Sequence, residues 1–263
     1  MAPCEVRHQV EGRDDAPPLV LLNSLGAELT MWDPQATAFE GDFRLVRYDA
    51  RGHGASPVPP GPYSVADLGG DLVALLDRLG IERASLCGVS LGGATALWVA
   101  AHAPERVERL VVCCSSASFD AGDAYMERAA LVRAEGAEVV ADAVVHRWFT
   151  PQMFEDRPQD AARMRAMIGA TPAEGYAASA EAVASADLRA DLASISAPTL
   201  VIAGAEDPAT PPEHGRRIAA GIAGAEFAEV PGGAHLVSFE RPEVVNELLR
   251  AHLRGAPEAK GAR

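Results

Sequence analysis

Gly88-Val89-Ser90-Leu91-Gly92 places a serine between glycines two residues before and two residues after it. A serine hydroxyl is a poor nucleophile at neutral pH unless an imidazole takes its proton during attack and a carboxylate orients that imidazole. The spacing suits a serine at the apex of a sharp turn, its hydroxyl pointing away from a sheet. Such a turn brings the residues at −2 and +2 together, so a side chain at Gly88 or Gly92 would collide. A helix opening at Leu91 would aim its N–H at negative charge developing beside Ser90. Among the 7 His, His235 closes the flexible turn Pro231-Gly-Gly-Ala-His235. Glu206 and Asp207 are adjacent acids ahead of Pro208, and both are open as its partner. His53 lies in Asp49-Ala-Arg-Gly-His-Gly-Ala-Ser56. There Asp49, Arg51 and His53 read as hydrogen-bonding groups that fix a glycine-rich turn rather than as a base.

Positioning these groups requires strands that end where they sit. The apolar stretch 84–89 predicts a buried strand before Ser90, and the Ala-rich stretch 93–102 predicts a helix after it, ending before Pro104. Residues 19–22 are continuously apolar, as expected of a strand buried on both faces of a parallel sheet. Strands are also predicted over 43–48, 107–113, 198–204 and 226–230, with a weaker edge strand over 5–10. Residues 64–79 predict an amphipathic helix with Ser64 as N-cap and Asp67 at the third position. Strand and helix alternate up to residue 117, which implies a mostly parallel, doubly wound α/β sheet. From 118 to 186 the alternation stops, and helices are predicted over 123–135, 137–148, 159–168 and 172–185. This stretch reads as a helical cap inserted into a core formed by 1–117 and 187–254, and caps of this kind build substrate pockets. Thr210 and Pro211 predict the start of another helix. A helix over 242–253 closes the core, and 255–263 reads as a disordered tail.

Composition narrows the partners. The chain has 263 residues and a net charge of −14, which argues against nucleic acid and anionic membrane surfaces while allowing a small anion at a locally basic spot. The 4 Cys show no disulfide framework, which points to a reducing, cytoplasmic setting. No signal-peptide pattern opens the sequence, and no apolar run is long enough to span a membrane. No His and Cys cluster suggests a metal, so no cofactor is expected.

Over nearly its full length the chain resembles the α/β-hydrolase superfamily. Within it the sequence looks most like 3-oxoadipate enol-lactonases. The matching stretches are Asn23-Ser-Leu-Gly26 with Trp32, Arg47-Tyr-Asp-Ala-Arg-Gly-His-Gly54, Leu86-Cys-Gly-Val-Ser-Leu-Gly-Gly93, Arg147-Trp-Phe-Thr-Pro151 and Pro231-Gly-Gly-Ala-His235. Asn23-Ser24 departs from the His-Gly found in many superfamily members. The resemblance implies a Ser–Asp–His triad of Ser90, Asp207 and His235, with Asp207 preferred to Glu206. It also implies an oxyanion hole from the N–H groups of Leu25 and Leu91. The implied reaction is ring opening of a small anionic lactone through an acyl-enzyme. The implied protein is a monomer or small homo-oligomer, with no nucleic-acid or membrane partner. Because the lactone carries a carboxylate, a cap cation is expected to meet it. Arg133 and Arg147 are the candidates, with Trp148 walling the ring. Broad carboxylesterases and perhydrolases share most of these stretches, and a triad-bearing ligand receptor is the non-enzymatic alternative.

Overall fold

The computed structural model describes residues 1–120 and 122–254; the expected tail, 255–263, lies outside the described residues. Strands β1 (His8–Gly12), β2 (Pro18–Leu22), β3 (Arg44–Tyr48), β4 (Ala84–Val89), β5 (Val107–Cys113), β6 (Thr199–Gly204) and β7 (Glu226–Val230) form one sheet in the order β1-β3-β2-β4-β5-β6-β7. Only the β1–β3 pair is antiparallel. All residues of β4 and β6 are buried, as strands covered by helices on both faces require. Truncating such a residue, for example Leu86→Ala, should cost about 2–5 kcal/mol. The edge strands β1 and β7 keep exposed positions. β1 starts later than the expected 5–10 because the preceding backbone is engaged elsewhere: the Cys4 N–H donates to Asp71 and the Arg7 N–H to Ser56 Oγ.

Chain order runs from β2 out to β3 on one side and from β4 to β7 on the other. The loops leaving β2 and β4 therefore diverge, and a crevice at such a switch point is where open α/β sheets bind ligands. Helix α1 (Asp33–Phe39) follows β2. Helix α2 (Val65–Arg78) opens with a capping box: Ser64 Oγ accepts the Asp67 N–H, and the Asp67 carboxylate accepts the Ser64 N–H. Helix α3 (Leu91–His102) begins directly after Ser90, and its buried alanines let it lie close to the sheet.

Between β5 and β6 the chain builds a helical insert of α4 (Gly122–Glu135), α5 (Glu138–Trp148), α6 (Pro151–Asp156), α7 (Pro158–Ala170) and α8 (Ala173–Ser185). Helix α4 packs on α8 and α5 on α7. The two ends of the insert meet at an antiparallel bridge between Ser118 and Asp187, beside a Leu188 N–H to Ala117 carbonyl bond of 2.6 Å. The short α6 has no counterpart in the sequence reading, because prolines at 151 and 158 leave a single six-residue segment with no repeat to reveal it. Helices α9 (Pro212–Gly221), α10 (Val237–Glu240) and α11 (Pro242–Leu253) complete the core.

Candidate active site

Ser90 sits between β4 and α3 with φ 56° and ψ −116°. A non-glycine residue at this φ stores about 1–3 kcal/mol of strain, so the surroundings must hold it. The Ser90 N–H donates to the Cys113 carbonyl at 3.0 Å. The Ser90 carbonyl accepts the Ser115 hydroxyl at 2.6 Å and the Ala94 N–H at 2.9 Å. The glycine spacing has a steric cause: a side chain on Gly88 would run into the Gly92 carbonyl, and one on Gly92 into the Leu22 carbonyl. The Leu91 N–H, first in α3, has no acceptor among the described residues.

Asp207 and His235 come from the loops after β6 and β7 and are both buried. Asp207 Oδ2 lies 2.8 Å from His235 Nδ1. The same oxygen accepts the Thr210 hydroxyl at 2.8 Å, while Oδ1 accepts the Ala209 and Thr210 N–H groups at 2.8 and 3.0 Å. Burial alone would raise the Asp207 carboxyl, but the His235 charge and these donated bonds outweigh it and hold the carboxyl below the usual range. An ionised carboxylate can only accept, so Nδ1 carries the ring proton and Nε2 is left as the acceptor. Glu206, the rival acid, is exposed. Thr210 does not cap α9, as its sequence position suggested. Its hydroxyl is taken by Asp207, and the helix starts two residues later at Pro212.

Ser90 and His235 line one narrow cavity, together with Leu25 from the loop after β2. No hydrogen bond joins Ser90 Oγ to the imidazole, and such pairs often tighten only once the reacting carbonyl is in place. The Leu25 N–H also has no acceptor among the described residues. Its loop is fixed from two sides. Asn23 Nδ2 donates to the Tyr48 carbonyl at 2.8 Å, and the Gly26 N–H donates to His53 Nε2 at 3.0 Å. His53 Nδ1 faces the Arg51 carbonyl at 3.1 Å. Burial pushes the His53 ring below its ordinary value, so it stays neutral and accepts at Nε2. His53 thus braces the Leu25 loop, its two ring nitrogens facing the Gly26 N–H and the Arg51 carbonyl.

The insert roofs the cavity. Arg147 and Trp148 at the end of α5 line it. Phe149 turns away and packs on Phe154 and Phe239. Arg133 is a correction: it does not line the cavity, but pairs with Glu174 at 2.7 Å and Glu181 at 2.8 Å. The second arginine in the cavity is Arg128, on the same helix. Five residues turn a helix by about 500°, which places Arg128 and Arg133 roughly 140° apart. Arg128 rests over the Tyr125 ring at 4.8 Å. Tyr125-x-x-Arg128 is an i, i+3 pair, and that spacing was the one available sequence signal for it.

Combined, a serine, an imidazole and a buried carboxylate are the groups needed to move a proton off a hydroxyl and keep the resulting imidazolium beside a negative charge. A wider cleft near Arg7, Glu28 and Arg163 has no such combination, and both arginines there are ion-paired. Among the described residues, no group of three or more His, Cys, Asp or Glu is placed to hold a metal ion, and no helix is long and apolar enough to cross a membrane.

Residues 17–242 match the family model of the alpha/beta hydrolase fold. The chain is 40% identical to 3-oxoadipate enol-lactonase 2 of Acinetobacter baylyi, over 92% of this chain and 91% of that protein. The crystal structure of the enol-lactonase from Burkholderia xenovorans superposes with a TM-score of 0.93 at 40% identity, covering 95% of this chain and 96% of that one. A thermophilic esterase from Thermogutta terrifontis, solved with malate bound, superposes with a TM-score of 0.90 at 31% identity, covering 95% and 93%. With the family model matched over residues 17–242 and relatives 40% identical over nearly the whole chain, the chain belongs to the α/β-hydrolase family.

Proposed function

We propose that this protein is a serine hydrolase that opens the ring of 3-oxoadipate enol-lactone to 3-oxoadipate through an acyl-enzyme, in the β-ketoadipate route of aromatic-compound breakdown in the cytoplasm. The observation that carries the reading is the buried Asp207–His235 pair sharing a cavity with Ser90. The enol-lactonases at 40% identity supply the substrate. We read the enzyme as acting without cofactor, nucleic acid or membrane, as a monomer or small homo-oligomer.

In this reading His235 Nε2 takes the Ser90 proton as Oγ attacks the lactone carbonyl. Asp207 holds the tautomer and stabilises the imidazolium. The Leu25 and Leu91 N–H groups receive the oxyanion, and each such donor contributes about 3–4 kcal/mol in related chemistry. Collapse breaks the ring C–O bond. The released enol oxygen takes the proton from His235 and tautomerises to a ketone. Water, deprotonated by His235, then attacks the acyl carbon, and Ser90 leaves with the proton returned by the imidazolium. The esterase relative favours one second reading, a broad small-ester carboxylesterase.

The test is an ultraviolet assay of the enol-lactone, whose conjugation disappears on ring opening, run beside a simple aryl ester. Saturable turnover with kcat/KM favouring the lactone is expected. A preference for the aryl ester would replace the lactonase reading with the esterase one, and no turnover of either would overturn both in favour of a receptor.

A further inference from the structure

Among the described residues, two non-glycine residues hold a left-handed backbone: Ser90 at φ 56° and Cys114 at φ 43°. The elbow accounts for the first. Cys114 is buried and follows directly after β5, the strand beside the one that ends at Ser90. A strained residue persists only where its surroundings over-determine it, and such residues gather at functional sites. Here the surroundings are the loops that carry Ser90, Asp207 and His235. The Cys114 N–H donates to the Ile202 carbonyl of β6 at 2.8 Å. Its sulfur accepts the Gly204 N–H at 3.3 Å, at the end of β6 and three residues before Asp207. The same thiol faces the Ala234 carbonyl at 3.6 Å, one residue before His235. Burial, and then the Asp207 charge, push the thiol up, so it stays an S–H, a weak donor, and is no thiolate. Ala234 is thereby held by both of its polar atoms, since Glu240 takes its N–H. The next residue, Ser115, reaches the third loop. Its hydroxyl donates to the Ser90 carbonyl at 2.6 Å, and its Cβ lies where a side chain on Gly93, in the first turn of α3, would meet it.

We propose that Cys114 and Ser115 are positioning residues that fix the nucleophile turn against the acid and base loops, Ser115 acting on Ser90 and Cys114 on the spacing of the Asp207 and His235 loops. The proposal deepens the reading of Ser90 as nucleophile and rests on it. Neither side chain lines the cavity, so neither meets the substrate. Both act on the geometry in which Ser90 Oγ, His235 Nε2 and the reacting carbonyl come together. That geometry sets the rate of the chemical step and leaves ground-state binding largely alone.

The experiment compares Cys114→Ala, Cys114→Gly, Cys114→Ser and Ser115→Ala with wild type. It reads enol-lactone turnover, the rate at which a fluorophosphonate labels Ser90, the Tm, and the downfield proton resonance of the Nδ1–H that His235 shares with Asp207. In Cys114→Ala and in Ser115→Ala, kcat should fall about ten- to a hundredfold with KM within about twofold of wild type. Cys114→Ser keeps a donor and an acceptor and should recover part of the loss. Cys114→Gly gives back the left-handed strain, so it should melt no lower than Cys114→Ala while losing at least as much kcat. A merely structural role would instead make the rate follow the Tm. The Nδ1–H resonance should move in Cys114→Ala and stay in place in Ser115→Ala, where Ser90 labelling slows by about the same factor as kcat. Wild-type kcat and labelling rates in both Cys114→Gly and Ser115→Ala, or rate losses that follow the Tm across the series, overturn the inference. A folded wild-type protein that is not labelled at Ser90 and turns over neither the lactone nor an aryl ester overturns the nucleophile reading and this inference with it.

Discussion

Glu240 ties the helical insert to the loop that carries His235, and removing its carboxylate measures how far the base depends on that tie. Glu240 is buried at the end of α10. Its Oε1 accepts the Thr150 N–H at 2.8 Å and the Thr150 hydroxyl at 2.6 Å, and its Oε2 accepts the Ala234 N–H at 2.7 Å. Alongside, the Leu236 N–H donates to the Trp148 carbonyl at 2.9 Å. Glu240→Ala strands three donors, each costing about 1–3 kcal/mol where water is excluded. Thr150 and Glu240 border a surface cleft with Arg157 and Arg241, so water can reach part of the network. We therefore expect a loss of about 3–4 kcal/mol, below the full sum. Glu240→Gln keeps an oxygen for Thr150 but turns an amide N–H toward Ala234, and should lose about 1–2 kcal/mol. Urea denaturation reads the stability. The same shift of the Ala234–His235 turn should lower kcat by about ten- to a hundredfold in Glu240→Ala, because small displacements of a base are costly to the rate. Stability within about 0.5 kcal/mol of wild type together with an unchanged kcat would refute the coupling.

Asp207→Asn should keep the fold but reduce kcat by about 10³–10⁴-fold through the wrong imidazole tautomer; a mild loss there with a severe one in Glu206→Gln would reverse the choice of acid. His53 and His252 are both held below their ordinary ionisation by burial. Between that depressed value and about pH 6.5 the unfolded chain binds more protons, so stability that is full above pH 6.5 is lost as pH falls through this window. Thermal melts should show a lower Tm at pH 5.5 than at 7.5, with a smaller difference in His53→Gln; an equal difference in both proteins contradicts the assignment of His53 as a neutral brace. Gly92→Ala should fail to accumulate as folded protein or lose nearly all activity, since the new methyl meets the Leu22 backbone; normal solubility and turnover would show that the elbow has more room than its geometry implies.

The sheet and its switch point were legible because continuous apolar runs, a capping box and a glycine-spaced serine each impose a local constraint that sequence displays directly. Ser90 and His235 could be singled out for the same reason, each following a strand with a turn-forming stretch around it. Choosing Asp207 over Glu206 needed the family pattern, since two adjacent acids differ only in which way the loop turns them. Arg128 was illegible because α4 has arginines on opposite faces, and sequence does not say which face roofs the cavity. Thr210, His53 and Glu240 act through partners 3, 27 and 90 residues away. Only the folded loops bring the two longer pairs together. Thr210 was misread because a threonine before a proline looks like a helix cap whether or not an aspartate takes its hydroxyl.

The most direct test of the central claim is rapid-quench mass spectrometry with the enol-lactone. Acylation opens the ring without releasing a fragment, so the trapped enzyme should gain the whole mass of the lactone, on the peptide carrying Ser90. The Ser90→Ala protein should show neither adduct nor turnover above about a thousandth of wild type. A lactone-sized adduct on another residue, or near-normal ring opening by well-folded Ser90→Ala, would contradict the account.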